Sequence, residues 1–327
     1  MFLTIKLEGD NYLRGNGPAL GFAGATVNLA GEIGPDKGSI LTIEGEGNLT
    51  AVGGGYSASI GSGYNGANHA MGPANNIIIN SGNITLSGNN HGTGIGGGVG
   101  RNANNIVING GNIIINVPSF GIGIGCKSNT DNIIINGGEI MINASSWTYG
   151  IGGVALSGTT HITGGKLVIA SCAGAYKATA MAYKGSRVII EGGTVSCSAT
   201  ANAGIYDASE GVIITGGNIL SQGLGDIGIL DGDNNYVQGV ATNESGTNVY
   251  LTSIQLPSVA KDRIITSFVT SDNLTYGIDD MYTLDNGMIY VYLPAGTRTV
   301  YVTVDGTTYS GEVTTDSTNS QGVQSLQ

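Results

Sequence analysis

The sequence predicts an all-β fold: a right-handed parallel β-helix, a three-sided solenoid of about eight coils, followed by a small C-terminal β module. Three observations predict it, namely the composition, a repeat built on a Gly-Gly bend, and a second repeated strand. Of the 327 residues 58 are Gly, 40% are apolar and only 11% are charged. Short β-strands joined by tight turns need this balance, whereas disordered chains are poorer in apolar residues.

The first repeat reads aliphatic–aliphatic–aliphatic–polar–Gly–Gly–polar–aliphatic. Its clearest copies are residues 106–113 and 133–140, and a close variant is 77–84. The second Gly of the bend recurs 24 to 29 residues apart, at Gly82, Gly111, Gly138, Gly165, Gly193 and Gly217. The aliphatic runs are β-branched and too short for helices, so each copy predicts two strands separated by a bend.

The second repeat is a Gly-Ile-Gly strand, as around Ile95 and Ile124, which loses its glycines from Ala180 onward. It supplies the third strand of each coil. Because alternate residues of a strand point to opposite faces, three inward columns are expected. The first contains Ile77, Ile106, Ile133, Val188 and Val212, the second Ile79, Ile108, Ile135, Ile162, Ile190 and Ile214, and the third Ile95, Ile124, Ile151, Met181, Ile205 and Ile229.

Three regions are predicted along the chain: the β-helix over 1–246, a C-terminal β module that caps it over 247–313, and a polar tail over 314–327 without a fold of its own. The module has alternating strands rich in Tyr and Thr. Residues 285–287 and 305–306 have the composition of hairpin turns. A module at this end would cover an otherwise open sheet edge.

With these residues in view, the chain resembles repetitive bacterial surface β-helix proteins. Their coils carry Gly-Ile-Gly-Gly-Gly loops and Gly-Gly-x-Ile-x-Ile strands, as residues 94–98 and 110–115 do here. It is also similar to carbohydrate-binding β-helix proteins of polysaccharide-degrading clostridia, whose C-terminal β module the stretch 276–304 resembles. The resemblance implies the fold; such solenoids serve adhesins, phage tail proteins and pectin-degrading enzymes alike.

An aromatic column precedes the Gly-Ile-Gly strand. Four residues before its Ile stand Tyr56, His91, Phe120 and Trp147, and Tyr176 lies near the same place in the next coil. Two interpretations are open. The column is either a platform on which sugar rings stack, or a self-stacked ladder that stiffens the corner.

An acidic cluster lies where the repeat decays. Asp207 and Asp231 fall on adjacent coils, about 5 Å apart at the backbone, and Asp226 and Asp233 are close in sequence. They are candidates for the acid and base or nucleophile of a glycosidase, for a Ca²⁺ site made by Asp226, Asp231 and Asp233, or for solvated turn acids. No cofactor is required, and Ca²⁺ is the one the sequence suggests.

Two further sets of columns predict a ladder and a contact surface. The polar residue that ends the first strand predicts a hydrogen-bonded ladder, of Asn80, Asn109, Asn136, Thr163, Glu191 and Thr215. The outward positions of the first two strands form apolar stripes that predict self-association or a covering module: Ile78, Val107, Ile134, His161, Ile189 and Ile213, and Thr85, Ile114, Met141, Val168, Ser196 and Leu220. Cys197 is expected in the core and Cys126 nearer the surface.

The net charge of −11 disfavours nucleic acid as a partner, and the chain has no run of 18 apolar residues for membrane insertion. Its first residues lack the features of a signal peptide. The leading expectation is a non-catalytic, extracellular or surface-displayed protein that binds polysaccharide or mediates adhesion. A polysaccharide hydrolase or lyase that uses the acidic cluster, and a structural fibre, filament or phage-tail component, remain alternatives.

Overall fold

The computed structural model describes residues 2–15, 20–22, 40–63, 74–128, 130, 132–145, 148–153, 158–170, 179–181, 186–199, 204–206, 211–223, 226–227, 229–230, 241–318 and 321–327. Over these residues the protein is all-β, with three long parallel sheets that we name walls 1, 2 and 3. Each coil contributes one strand to each wall, so the sheets form a β-solenoid, as the repeats predict.

Wall 1 contains the parallel strands Phe2–Leu7, Ile40–Gly45, Ala74–Ile79, Ala103–Ile108, Asn132–Ile135, Gly158–Ile162, Ser186–Ile190, Val212–Ile214 and Ala241–Thr242. Wall 2 contains Asp10–Arg14, Asn48–Val52, Asn83–Ser87, Asn112–Val117, Glu139–Ala144, Lys166–Ala170, Thr194–Ala199 and Asn218–Gly223, with Asp226–Ile227 antiparallel to the last. Wall 3 contains Leu20–Phe22, Ala58–Ser62, Thr93–Gly96, Ile122–Cys126, Tyr149–Gly153, Thr179–Met181, Ile205–Tyr206 and Ile229–Leu230. We number the coils 1 to 8 in this order, and Ala241–Thr242 is a ninth strand of wall 1 that follows coil 8.

The strands pair so that equivalent residues of successive coils face one another. In wall 1 Ile106 pairs with Ile77 on one side and Ile133 on the other, and in wall 3 Ile124 pairs with Ile95 and Ile151. All members of the three predicted inward columns are at most 3% exposed. Because a one-residue slip would turn every inward side chain outward, this burial fixes the register.

Wall 3 is buried on both faces in coils 2 to 4. The segment after the strand Thr93–Gly96 folds back, and the Val99 amide donates to the Tyr56 carbonyl at 2.8 Å. Gly96 has a φ of +132°, and a Cβ there would overlap the carbonyl oxygen of Gly125 in the next coil. The Gly-Ile-Gly strand therefore needs its second Gly. Cys126 is 0% exposed in this wall, so the expectation that it lies near the surface is wrong.

The C-terminal module continues wall 1. Asn248–Gln255 pairs antiparallel with Ala241–Thr242 and with Met288–Leu293, and a separate antiparallel sheet contains Ile265–Thr270, Gly296–Val304 and Thr307–Thr315. Val249 and Tyr292 join the solenoid core, while Ile289, Val302 and their neighbours form a second core. The module thus packs against the last coils.

Two details of the module differ from expectation. Residues 305–306 do form the predicted hairpin turn, but Asp285–Gly287 is a short 3-10 helix that leads into Met288–Leu293 rather than a hairpin. The end of the chain is not an extension without a fold. Val323–Ser325 pairs with Asn248–Gln255, and Leu326 is 0% exposed, because this segment completes the second core.

In the described part of the chain no helix is long and apolar enough to span a bilayer.

Candidate functional site

The aromatic column lies at the corner between walls 2 and 3, which we name the aromatic corner. A four-residue turn forms it in coils 2 to 4. The Gly92 amide donates to the Asn89 carbonyl at 2.7 Å, and the Gly121 amide donates to the Pro118 carbonyl at 3.0 Å. The aromatic residue occupies the third position of the turn, which places its side chain at the corner.

The three described members of the column form a continuous stack. The ring centroids of Tyr56 and His91 are 4.9 Å apart with an interplanar angle of 9°, and those of His91 and Phe120 are 4.9 Å apart at 14°. Tyr56 is 41% exposed and Phe120 40%, so ring surface is open to solvent. The other two candidates, Trp147 and Tyr176, lie outside the described residues.

The backbone at these positions is strained. Tyr56, His91 and Phe120 have φ values of 64°, 61° and 62°, in the left-handed region that glycine adopts readily and other residues rarely. Each such position costs on the order of 1 kcal/mol. At this turn position Gly or Asn would have less backbone strain than an aromatic residue. Three rings are therefore held at this turn position against a backbone cost.

Lys127 lies against the middle of the stack, with its Nζ 3.0 Å from His91 Nδ1. The ammonium donates, so Nδ1 accepts and the imidazole is neutral. Burial lowers the pKa of Lys127 to about 8, and burial followed by the charge of Lys127 lowers the pKa of His91. Near neutral pH the stack is therefore an uncharged set of rings with one ammonium at its edge. The sequence reasoning missed Lys127 because it follows wall 3 and reaches the previous coil only through the turn-back.

The predicted acidic cluster falls largely outside the described residues. Asp207, Asp231 and Asp233 lie outside them, and Asp226 belongs to the short strand Asp226–Ile227. Among the residues that are described, no group of three or more His, Cys, Asp or Glu side chains could hold a metal ion.

The predicted polar ladder is present from Asn80 to Thr163 along the end of wall 1, whereas Glu191 pairs with His161 and Thr215 makes no ladder bond to another described residue. Asn109 Nδ2 donates to Asn80 Oδ1 at 2.9 Å, Asn136 Nδ2 donates to Asn109 Oδ1 at 2.8 Å, and Thr163 Oγ1 donates to Asn136 Oδ1 at 2.9 Å. These bonds tie coils 3 to 6 together. They occupy the amides with one another, which indicates a structural role.

The apolar stripes on the outer faces are partly exposed. Ile78, Val107 and Ile134 are half-buried, and Met141 is 39% exposed. His161, which interrupts the first stripe, lies 3.0 Å from the Glu191 carboxylate through its Nε2. The stripes remain available as a contact surface on the side of the solenoid.

Comparison with known proteins adds no relationship: no protein-family model, curated protein or solved structure matches the chain.

Proposed function

We propose that this chain is an extracellular or surface-displayed, right-handed parallel β-helix that binds polysaccharide at the aromatic corner. The observation that carries the proposal is the stack of Tyr56, His91 and Phe120, with ring centroids 4.9 Å apart on successive coils. Aromatic faces provide a large, rigid and amphipathic surface, against which the C–H face of a sugar ring can pack while its hydroxyls stay hydrated.

The shape of the corner favours a polymer over a single sugar. The stack runs along the solenoid axis through coils 2 to 4, so a chain lying along it would meet one ring in each coil. The neutral imidazole of His91 keeps the row uncharged, and Lys127 can donate a hydrogen bond at its edge. A row of this kind binds without needing a catalytic group, which supports a binding protein over a hydrolase or lyase.

Handedness, localisation and self-association belong to the same proposal. Parallel crossover connections within a sheet are right-handed in the great majority of proteins. The resemblance to bacterial surface β-helix proteins supports display outside the cell. The half-exposed stripes around Val107 and Met141 support side-by-side association of copies, since exposed apolar stripes commonly mark contact surfaces.

The test is a glycan array followed by titration calorimetry with the best oligosaccharide. Phe120→Gly removes one ring at a position where the backbone is already left-handed, and we expect binding to weaken by about tenfold or more, equivalent to about 1.4 kcal/mol. Tyr12→Ala is the matched control, because Tyr12 is 63% exposed on wall 2 and away from the stack. Equal binding by both variants and the parent chain would contradict the proposal.

The same samples distinguish the alternatives. New reducing ends or unsaturated products after incubation would indicate an enzyme. Light scattering over a concentration series measures association, and filaments without glycan binding would favour a structural fibre.

A further inference from the structure

A second corner, between walls 1 and 2, is formed by the Gly-Gly bends, and we name it the Gly-Gly corner. In coils 6 to 8 the module covers it with the segment 276–282. The Gly217 amide donates to the Gly277 carbonyl at 2.8 Å, the Gly193 amide donates to the Asp279 carbonyl, and the Gly165 amide donates to Asp280 Oδ2 at 2.8 Å. One bend amide per coil therefore binds one oxygen of this segment. The segment turns at Ile278–Met281, where the Met281 amide donates to the Ile278 carbonyl at 3.0 Å and Asp280 has a φ of 49°.

A row of side chains beside the amides completes this contact. The residue that opens each wall 2 strand reaches the module. Lys166 pairs with Asp262 at 2.9 Å, and Thr194 Oγ1 donates to the Asp280 carbonyl at 3.0 Å. Asn218 Nδ2 donates to the Tyr282 carbonyl at 2.8 Å, and its Oδ1 accepts from the Tyr290 amide at 2.8 Å. A single asparagine side chain thus binds peptide backbone through both its donor and its acceptor.

The row of bend amides continues past the module into coils 4 and 5, where the residues that open the wall 2 strands are Asn112 and Glu139, and Glu139 pairs with Lys166 at 3.1 Å. The bend glycines there, Gly111 and Gly138, have φ values of 98° and 90°, against 85°, 86° and 88° at Gly165, Gly193 and Gly217 in the covered coils. Their amides have no acceptor among the described residues. Asn112 is exposed and stands in the register position that Asn218 occupies four coils later.

A cavity marks the place where the covered and open parts meet. Its volume is about 500 Å³, and its lining joins Gly138 and Glu139 of coil 5 to Gly165 and Lys166 of coil 6, with Asp262, Asp280 and Tyr282 of the module. The open part of the corner is therefore continuous with an interface that the molecule already makes.

We propose that the Gly-Gly corner of coils 4 and 5 binds a turn-forming peptide segment of a partner protein, independently of the aromatic corner. The occupant follows from the neighbouring interface. Two of the three bend amides in coils 6 to 8 bind backbone carbonyls and the third binds a carboxylate. The row consequently recognises a turn that presents one acceptor oxygen to each coil, and an Asp carboxylate can replace one carbonyl. Asn112 pairs with the peptide backbone as Asn218 does.

The recognition resembles strand addition in its logic, since main-chain hydrogen bonds supply the affinity. It differs in that the donors are the bend amides of successive coils rather than the edge of one strand. An amide without a partner on such a bend can donate to a carbonyl or carboxylate oxygen, because backbone concavities of this kind bind such oxygens.

The experiment uses the full chain labelled with ¹⁵N-glycine and a synthetic peptide that copies residues 274–282. We expect the peptide to shift the amide resonances of Gly111 and Gly138 and to slow their hydrogen exchange. Asn112→Trp should obstruct the row of amides and weaken the binding of the peptide by at least about tenfold. Asn48→Trp, at the same register position two coils earlier, is the matched control and should bind as the parent chain does.

Three results would overturn the proposal. The first is no change at Gly111 and Gly138 at millimolar peptide. The second is a change confined to Gly165, Gly193 and Gly217, which would mean that the peptide only displaces the module segment. The third is that an oligosaccharide, rather than the peptide, perturbs Gly111 and Gly138.

Discussion

The two corners of the solenoid use the same repeat in opposite ways. At the aromatic corner the proposed binding surface consists of side chains, the rings of Tyr56, His91 and Phe120, which lie on backbone with a left-handed φ near 60°. At the Gly-Gly corner the side chain is absent, and the backbone amides of Gly165, Gly193 and Gly217 make the contacts. The aromatic corner therefore carries large side chains on a strained backbone. The Gly-Gly corner has no side chains at these glycines, so neighbouring coils and the module can approach its backbone closely.

The largest effect expected from this difference is that of Gly138→Ala. A Cβ at Gly138 would lie 2.7 Å from the Gly111 carbonyl oxygen, and the φ of +90° disfavours any other residue. We expect the free energy of unfolding to fall by at least about 2 kcal/mol, because strain and steric overlap add. Denaturant unfolding followed by circular dichroism measures the change.

Gly55→Ala is the control for that variant. Gly55 is exposed beside the aromatic corner, and a Cβ there would meet no atom within 4 Å. Its effect should stay within about 0.5 kcal/mol. Equal losses in Gly55→Ala and Gly138→Ala would show that the Gly-Gly corner has no special steric requirement.

The sequence predicts the contacts that identical residues make at equivalent positions of successive coils. Ile77, Ile106 and Ile133 recur at one register position, so their inward stacking follows from period and alternation alone. The Asn80–Asn109 ladder follows in the same way. These predictions are confirmed because each depends only on the neighbouring coil.

Contacts between distant segments could not be predicted. Asn218 binds Tyr282 and Tyr290, more than 60 residues away, while Asn112 in the equivalent position is exposed, and nothing local distinguishes the two. Cys126 was misplaced because it lies two residues after the inward Ile124 in the same strand and belongs to the solenoid core. Lys127 was missed because its side chain meets His91 of the neighbouring coil, a contact that no repeated position indicates.

A smaller, pH-dependent effect is expected at the aromatic corner from Lys127. Burial lowers its folded-state pKa from 10.5 to about 8. Between these values the unfolded chain binds the proton and the folded chain does not, so stability from this group rises as the pH increases through the window. Relative to Lys127→Met, the melting temperature of the parent chain should therefore rise between pH 8 and 10. Parallel pH curves for the two proteins would contradict the burial of the ammonium.

The smallest effect on stability is expected from Phe120→Gly. Glycine relieves a left-handed φ of 62°, a gain on the order of 1 kcal/mol, which offsets the lost ring stacking and the greater freedom of Gly in the unfolded chain. We expect the free energy of unfolding to change by less than about 1 kcal/mol, even though glycan binding weakens.

The same substitution in the module provides the contrast for that expectation. Phe268 is 7% exposed in the second core, within the strand Ile265–Thr270, and Phe268→Gly should cost about 3 kcal/mol or more. If Phe120→Gly destabilised the protein as much as Phe268→Gly, the ring would be needed for folding, and the strain at the aromatic corner would have a structural explanation. A stable Phe120→Gly protein with impaired glycan binding would instead indicate different roles for the two corners. The Gly-Gly corner would serve folding and docking, and the aromatic corner would serve binding through its exposed rings.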